Sequence, residues 1–370
     1  MCDSRTAATR FQVNALAIDQ SPPSLGYLRL AAFLSTGEFT IFVIHPSQLS
    51  TSTRKLTYIP RRGHPISSTI IQAVYHHPLL ITLSQNFSLS IYDLSRDTIR
   101  HTQTLTSFTS FPPTSLVLST PSTRTYKLVL AYTIPVYPAH WSVGATELII
   151  SGPISSVDHH NVPPRPSLLS DDVPPIPVEP MCVISTRTTR ALDIPPGWID
   201  EDKLRSMREQ WGRKVARVTG TQSDGKWVVL APAESNHLSA TASGIFSSIP
   251  DSIDTREFLH SSTTLQLYRL YFPSASNSVA ASPPKLCFVR NLHGQTGPIS
   301  SLALADGRCV SLGLNGSLWV WDLEAGGAGT EVSQSAMSVD APPAKRTVAF
   351  DERRIVTTEG SRVLVTRFDI

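Results

Sequence analysis

Short apolar stretches, each closed by a small group of Gly, Pro, Ser or Asn, run along nearly the whole chain. Residues 28–34, 39–44, 79–83, 89–94, 128–132, 227–230, 265–272, 286–289, 299–304 and 318–323 are the clearest of them. They are rich in Val, Ile, Leu, Tyr and Thr and too short for helices, which is the composition and length of β-strands. Neighbouring runs are split by turn groups such as Ser35-Thr36-Gly37-Glu38, Gln85-Asn86-Phe87, Leu314-Asn315-Gly316 and Glu359-Gly360-Ser361. The pattern predicts an all-β protein. Sandwiches, barrels and propellers share such a pattern, so an internal repeat has to separate them.

The chain contains one. At an offset of 229 residues, His64, Thr82, Asn86, Ser88, Leu89, Ile91, Tyr92, Asp93 and Leu94 align without a gap to His293, Ser311, Asn315, Ser317, Leu318, Val320, Trp321, Asp322 and Leu323. Weaker copies end in Phe39-Thr40-Ile41-Phe42 and in Phe368-Asp369-Ile370. A histidine followed after 27 residues by Trp-Asp at a strand end resembles the WD-repeat family.

The resemblance implies a β-propeller, whose blades are four-stranded antiparallel sheets packed face to face. It also implies a buried hydrogen-bond chain in each complete repeat: His293, Ser311, Asn315 and Trp321 in the later copy, His64, Thr82, Asn86 and Tyr92 in the earlier one. Each such bond is worth about 1 kcal/mol net, while a buried partner left alone costs about 1–3 kcal/mol. The chain would therefore fix geometry more than add stability. Strand count places six visible blades of an expected six to seven, at residues 11–62, 64–108, 112–193, 214–292, 293–341 and 344–370. The last has three strands. Residues 1–370 are read as a single propeller domain.

Three stretches break the β pattern. Residues 151–180 hold eight prolines and few large apolar side chains, which predicts a disordered insertion. Residues 234–262 are Ser/Ala-rich and predict a mobile loop. Between them, residues 199–213 predict a helix: Asp200, Glu201 and Asp202 open it, Leu204, Met207 and Trp211 recur at helical spacing, and Gly212, Arg213 and Lys214 close it. Trp198 and Trp211 are expected to dock that helix on the propeller.

Composition narrows the function. Of the residues, 41% are hydrophobic and only 16% charged, with 29 prolines among them. A net charge of +3 gives no ground for a nucleic-acid partner. No secretory leader or apolar span is read, so the chain is expected to be soluble, monomeric, and cytoplasmic, nuclear or both. Cys2, Cys182, Cys287 and Cys309 lie far apart, in neither disulfide-framework nor zinc-site spacing.

No catalytic, metal or cofactor motif is read. Gly326-Gly327-Ala328-Gly329 follows a strand-ending Asp-Leu and opens no helix, so it predicts a flexible hairpin loop rather than a phosphate cradle. Asp158-His159-His160 falls in the proline-rich insertion, and His76-His77-Pro78 predicts an exposed turn. The sequons at Asn86 and Asn315 fall at equivalent turns and read as structural. Arg61, Arg62 and Arg290 precede the two repeat histidines and are the candidate partner-binding cations.

Four stretches carry a broader resemblance to the propeller half of fungal F-box/WD-repeat proteins. They are Trp141-Ser-Val-Gly-Ala-Thr-Glu-Leu, Pro195-Pro-Gly-Trp198 with its Glu-Gln-Trp-Gly-Arg-Lys helix end, Asp224-Gly-Lys-Trp-Val, and the segment from His293-Gly to Trp321-Asp322. That family implies a non-catalytic substrate receptor of an SCF-type ubiquitin ligase, holding a target protein on a propeller face. No F-box-like helical bundle is read in this chain, so a Skp-type adaptor and a cullin are expected only if an upstream F-box exists. A general WD-repeat scaffold is the alternative.

Overall fold

The computed structural model of the chain describes residues 12–22, 27–45, 54–60, 69–95, 98–122, 125–137, 139–152, 180–193, 197–233, 263–273, 283–334 and 346–367. Residues 153–179 of the insertion expected at 151–180, the loop at 234–262, Asp158-His159-His160, Phe368-Asp369-Ile370, Cys2, His64, Arg61 and Arg62 lie outside the described residues.

The chain is an all-β propeller, with six sheets and a single helix among the described residues. The first sheet runs β1 (Val13–Ile18), β2 (Leu28–Leu34), β3 (Phe39–Ile44), β4 (Arg54–Tyr58), and the second runs β5 (Ile70–His76), β6 (Leu79–Ser84), β7 (Ser88–Asp93), β8 (Arg100–Thr106). Longer strands build the third: β9 (Phe111–Ser122), β10 (Thr125–Val136), β11 (His140–Ser151) and β12 (Val183–Arg190). After helix α1 (Glu201–Gly212) comes the fourth, β13 (Val218–Ser223), β14 (Trp227–Pro232), β15 (Leu265–Tyr271), β16 (Lys285–Leu292). The fifth is β17 (Ile299–Ala305), β18 (Arg308–Gly313), β19 (Ser317–Asp322), β20 (Thr330–Gln334). The sixth has only β21 (Arg346–Phe350), β22 (Arg354–Glu359) and β23 (Arg362–Arg367). Each sheet is a meander in sequence order; five fall inside segments expected from the sequence, and the third begins at Phe111, one residue ahead of its expected 112–193.

The chain divides into two compact units. One comprises Met1–Phe108, Leu118–Leu128 and Glu147–Thr186; the other comprises Thr109–Val117, Val129–Thr146 and Arg187–Ile370. In the first, Ala17, Ala31, Phe33, Phe39 and Ile41 of the first sheet pack on Ile70, Tyr75, Leu80 and Tyr92 of the second. In the second, β14 shows why the inner strands read as unbroken apolar runs. Its Val228 and Leu230 pack with Val129, Ala131, Val143 and Ala145, while Trp227, Val229 and Ala231 pack with Ile299, Leu302 and Trp321. A strand covered on both faces has no polar side to show. All six of its residues are buried.

Two aspartates tie successive sheets together through backbone N–H groups. In the first unit Asp19, just past β1, accepts from Ser21 N–H and from His77 N–H, both at 2.9 Å, and takes the Arg29 guanidinium at 3.1 Å. In the second, Asp224 in the β13–β14 turn accepts from Lys226 and Trp227 N–H on Oδ1, and its Oδ2 accepts from Gly307 N–H in the β17–β18 turn at 3.0 Å. The turn at His76-His77-Pro78 is thus half-buried rather than exposed: its backbone is held by Asp19, and the His76 ring lies edge-on to Tyr126 at 5.7 Å.

Burial alone would raise the Asp19 pKa, but the His77 and Ser21 donors and Arg29 outweigh it and hold the carboxyl below its usual 3.8. A depressed carboxylate stabilises the fold above its unfolded pKa, and that contribution is lost as pH falls through the folded one. Stability is therefore expected to drop below about pH 4. In Asp19→Asn that drop should be shallower in urea titrations at stepped pH, and an unchanged slope would count against the tie.

Candidate functional site

The fifth sheet carries a directional polar chain. Ser311, on β18, donates to Gln295 Oε1 at 2.5 Å; Gln295 Nε2 donates to Ser317 Oγ at 2.8 Å; the Ser317 hydroxyl donates to Asn315 Oδ1 at 2.7 Å. Asn315 Nδ2 closes it by donating to Thr296 Oγ1 at 3.1 Å, while Asn315 Oδ1 also accepts Ser317 N–H. Gln295, Ser311 and Ser317 are buried. A Cβ on Gly313 would stand 2.4 Å from Asn315 Oδ1 and 2.5 Å from Gln295 Nε2, so the absent side chain makes the room for this chain.

Of the four residues expected there, Ser311 and Asn315 take part and two do not. His293 is exposed, and the buried Trp321 indole has no partner for its N–H. Gln295 does the histidine's work from two positions further on, because an amide both accepts and donates and so bridges two hydroxyls. Trp321 acts as a core side chain: it stacks on Trp319 at 6.0 Å and abuts Gly329, where a Cβ would lie 2.3 Å from the indole nitrogen. The glycine-rich segment expected to be a flexible hairpin loop is in this respect a packing surface. The WD-type spacing points to a histidine and so passes over Gln295; two buried serines that need a two-way bridge are the signal for it.

In the second sheet the equivalent positions connect differently. Burial among Phe39 and Tyr58 pushes the Tyr92 phenol up to about 12, against the lowering effect of the Ser90 and Thr82 side chains. Asn86 is exposed in the β6–β7 turn, and Ser84 Oγ accepts Ser88 N–H at 3.1 Å beside it.

Arg290 is half-buried on β16, and its guanidinium donates to the carbonyls of Gly326 and Asp322, holding the chain just past β19. Helix α1 covers Glu201–Gly212. Asp200 caps it by accepting Lys203 N–H at 2.8 Å, and Glu201 and Asp202 sit in its first turn, where carboxylates favour the helix dipole.

The docking expected of Trp198 and Trp211 is not what holds the helix. Trp198 is 85% exposed, Trp211 is exposed, and no helix residue is buried. The anchor is the C-terminal end instead. The Arg213 guanidinium lies over Phe288 at 4.3 Å, and its carbonyl accepts from Gln266 Nε2 at 2.9 Å. With both ends satisfied, the helix needs no buried face.

Cysteine chemistry is divided by burial. Cys309 is fully buried beneath Trp321, and burial, with Asp224 adding to it, pushes its thiol up to about 12, while Cys182 and Cys287 are exposed. Native alkylation is expected to label Cys182 and Cys287 and to reach Cys309 only after denaturation, as peptide mapping would report; early labelling of Cys309 would contradict this packing. Among the described residues no group of three His, Cys, Asp or Glu side chains could hold a metal ion, and no helix is long and apolar enough to cross a membrane.

By overall structure the chain is similar to the computationally designed Ika8 protein, with 11% identity, a TM-score of 0.41, and 97% of this chain and 72% of that one covered. It is equally similar to a chain of the Mitotic Checkpoint Complex, again at 11% identity and a TM-score of 0.41, with 100% and 82% covered. No curated protein matches. Residues 2–158 match the family model described as the F-box protein pof12 beta-propeller. That match spans less than half of the chain and is a likeness to the propeller of an F-box protein.

Proposed function

We propose that the chain is the substrate-recognition part of an SCF-type ubiquitin ligase receptor, a non-catalytic propeller that holds a target protein while an adaptor of the Skp type and a cullin are recruited through an F-box of the same gene product. The observation that carries the reading is the match of residues 2–158 to an F-box protein propeller. The WD-type repeat supports it, with Ser311 and Asn315 linked through Gln295 and Ser317 in the fifth sheet. A protein-binding propeller of this kind works as a monomer in the cytoplasm or nucleus, without nucleic acid, membrane or cofactor.

The test is affinity purification of the protein tagged at its own locus, with ubiquitin linkage read on the captured partners. Co-purification of adaptor and cullin, with a partner that accumulates when the gene is deleted, is the expected result. Partners captured reproducibly without adaptor or cullin would overturn the ligase reading in favour of a general WD-repeat scaffold.

A further inference from the structure

Asn315 is the only asparagine of the sequence that is followed by glycine. That pair is chemically special. With no side chain on the next residue, its backbone nitrogen is free to attack the asparagine carboxamide carbon, expel ammonia and close a succinimide ring. Water then opens the ring at either carbonyl. One opening leaves aspartate; the other leaves isoaspartate, whose main chain runs through the former side chain and is longer by a methylene.

The fold holds both reacting groups. The Gly316 N–H donates to the Gly313 carbonyl at 3.0 Å and closes the β18–β19 turn, with Gly316 at a φ of 82°. The carboxamide is bound at both ends: Oδ1 accepts the Ser317 N–H at 3.1 Å and the Ser317 hydroxyl at 2.7 Å, and Nδ2 donates to Thr296 Oγ1 at 3.1 Å. It has little room to turn, since a Cβ on Gly297 would stand 2.9 Å from its Cγ. Asn315 is nonetheless exposed, so solvent water reaches it. Such a turn opens locally far more often than a whole chain unfolds.

The second sheet supplies an internal comparison. Asn86 is likewise exposed in the β6–β7 turn, where Phe87 N–H donates to the Ser84 carbonyl at 3.0 Å and Phe87 has a φ of 59°. The two turns match in their backbone bond. They differ in the Phe87 side chain, which crowds the attacking nitrogen where Gly316 leaves it open.

We propose that Asn315 is a site of spontaneous deamidation gated by opening of the β18–β19 turn, and that its isoaspartyl product breaks the polar chain through Ser311, Gln295 and Ser317. The aspartyl product keeps that chain. Its carboxylate still accepts both Ser317 donors, and the Thr296 hydroxyl, an acceptor before, donates to the second oxygen. The isoaspartyl product lengthens the turn between Gly313 and Ser317 and draws Ser317 away from Gln295, leaving buried hydroxyls without partners. This chemistry is independent of any ubiquitin role.

The test ages the full chain in mildly alkaline buffer, native and in urea, and reads each asparagine by peptide mapping. Acid at position 315 with Asn86 unchanged is expected, forming more slowly in the native protein than in urea. Thr296→Val frees one end of the carboxamide and should speed the native reaction without changing the rate in urea. Phe87→Gly should create a second reactive site at Asn86 in urea, where folding of the variant does not matter. The isoaspartyl fraction, separated chromatographically, should unfold at lower urea than unaged protein, whereas Asn315→Asp should unfold close to it.

No acid at position 315 in urea, Asn86 reacting as fast as Asn315, or a native rate equal to the rate in urea overturns the gated site. An isoaspartyl fraction as stable as Asn315→Asp overturns the break in the polar chain.

Discussion

Trp321→Ala is expected to lower the unfolding free energy by about 3–5 kcal/mol, the range for deleting a large buried aromatic side chain. Trp321 is 1% exposed and belongs to the core shared by Leu267, Leu292, Ile299, Cys309 and Leu323, so no water can fill the space it leaves cheaply. The instructive comparison is Trp321→Phe. Because the indole N–H has no partner, the phenylalanine variant loses packing and no hydrogen bond, and should cost about 1–2 kcal/mol.

Gly329→Ala probes the same contact from the other side and should cost about 1–3 kcal/mol, since the new methyl meets a rigid ring held by Trp319. Urea unfolding followed by circular dichroism measures all three. If the phenylalanine variant were as damaged as the alanine one, the indole would be hydrogen-bonding after all.

Gln295→Leu should remove about 2–4 kcal/mol, because it strands the Ser311 hydroxyl and one side of Ser317 Oγ in a buried setting, each worth about 1–3 kcal/mol. The double variant Gln295→Leu/Ser311→Ala should recover part of the loss, since it deletes one of the two stranded groups. His293→Ala, by contrast, should shift stability by no more than about 0.5 kcal/mol, as expected for an exposed side chain. The opposite ranking, with His293 costly and Gln295 neutral, would restore the polar chain that the repeat spacing alone suggests.

The two glutamine and histidine variants also mark where sequence reading succeeds and where it stops. All six sheets were legible, because strands such as β14 and β6 are packed on both faces and so leave an unbroken apolar run between turn groups. The turn at Asn315 was legible for a different reason: its side chain must cap Ser317, and few residues can. What spacing could not tell is which of two nearby side chains turns inward. His293 and Gln295 lie two positions apart in a loop, where no strand or helix period assigns an interior. The helix was misread in the same way. Its spacing of Leu204, Met207 and Trp211 was correct, but amphipathic spacing shows only that a face exists, and here the caps and the Arg213–Phe288 contact hold the helix instead.

The final sheet does more than end the chain. Val348 and Phe350 of β21 and Ile355 of β22 lie over Val310, Leu312 and Leu318, so these two strands waterproof the flank of the sheet before them. A premature stop after Gln334 would leave that oily flank bare on an otherwise complete fifth sheet. Losing the tail would therefore be felt first as clumping of the product rather than as loss of whatever the missing strands do themselves.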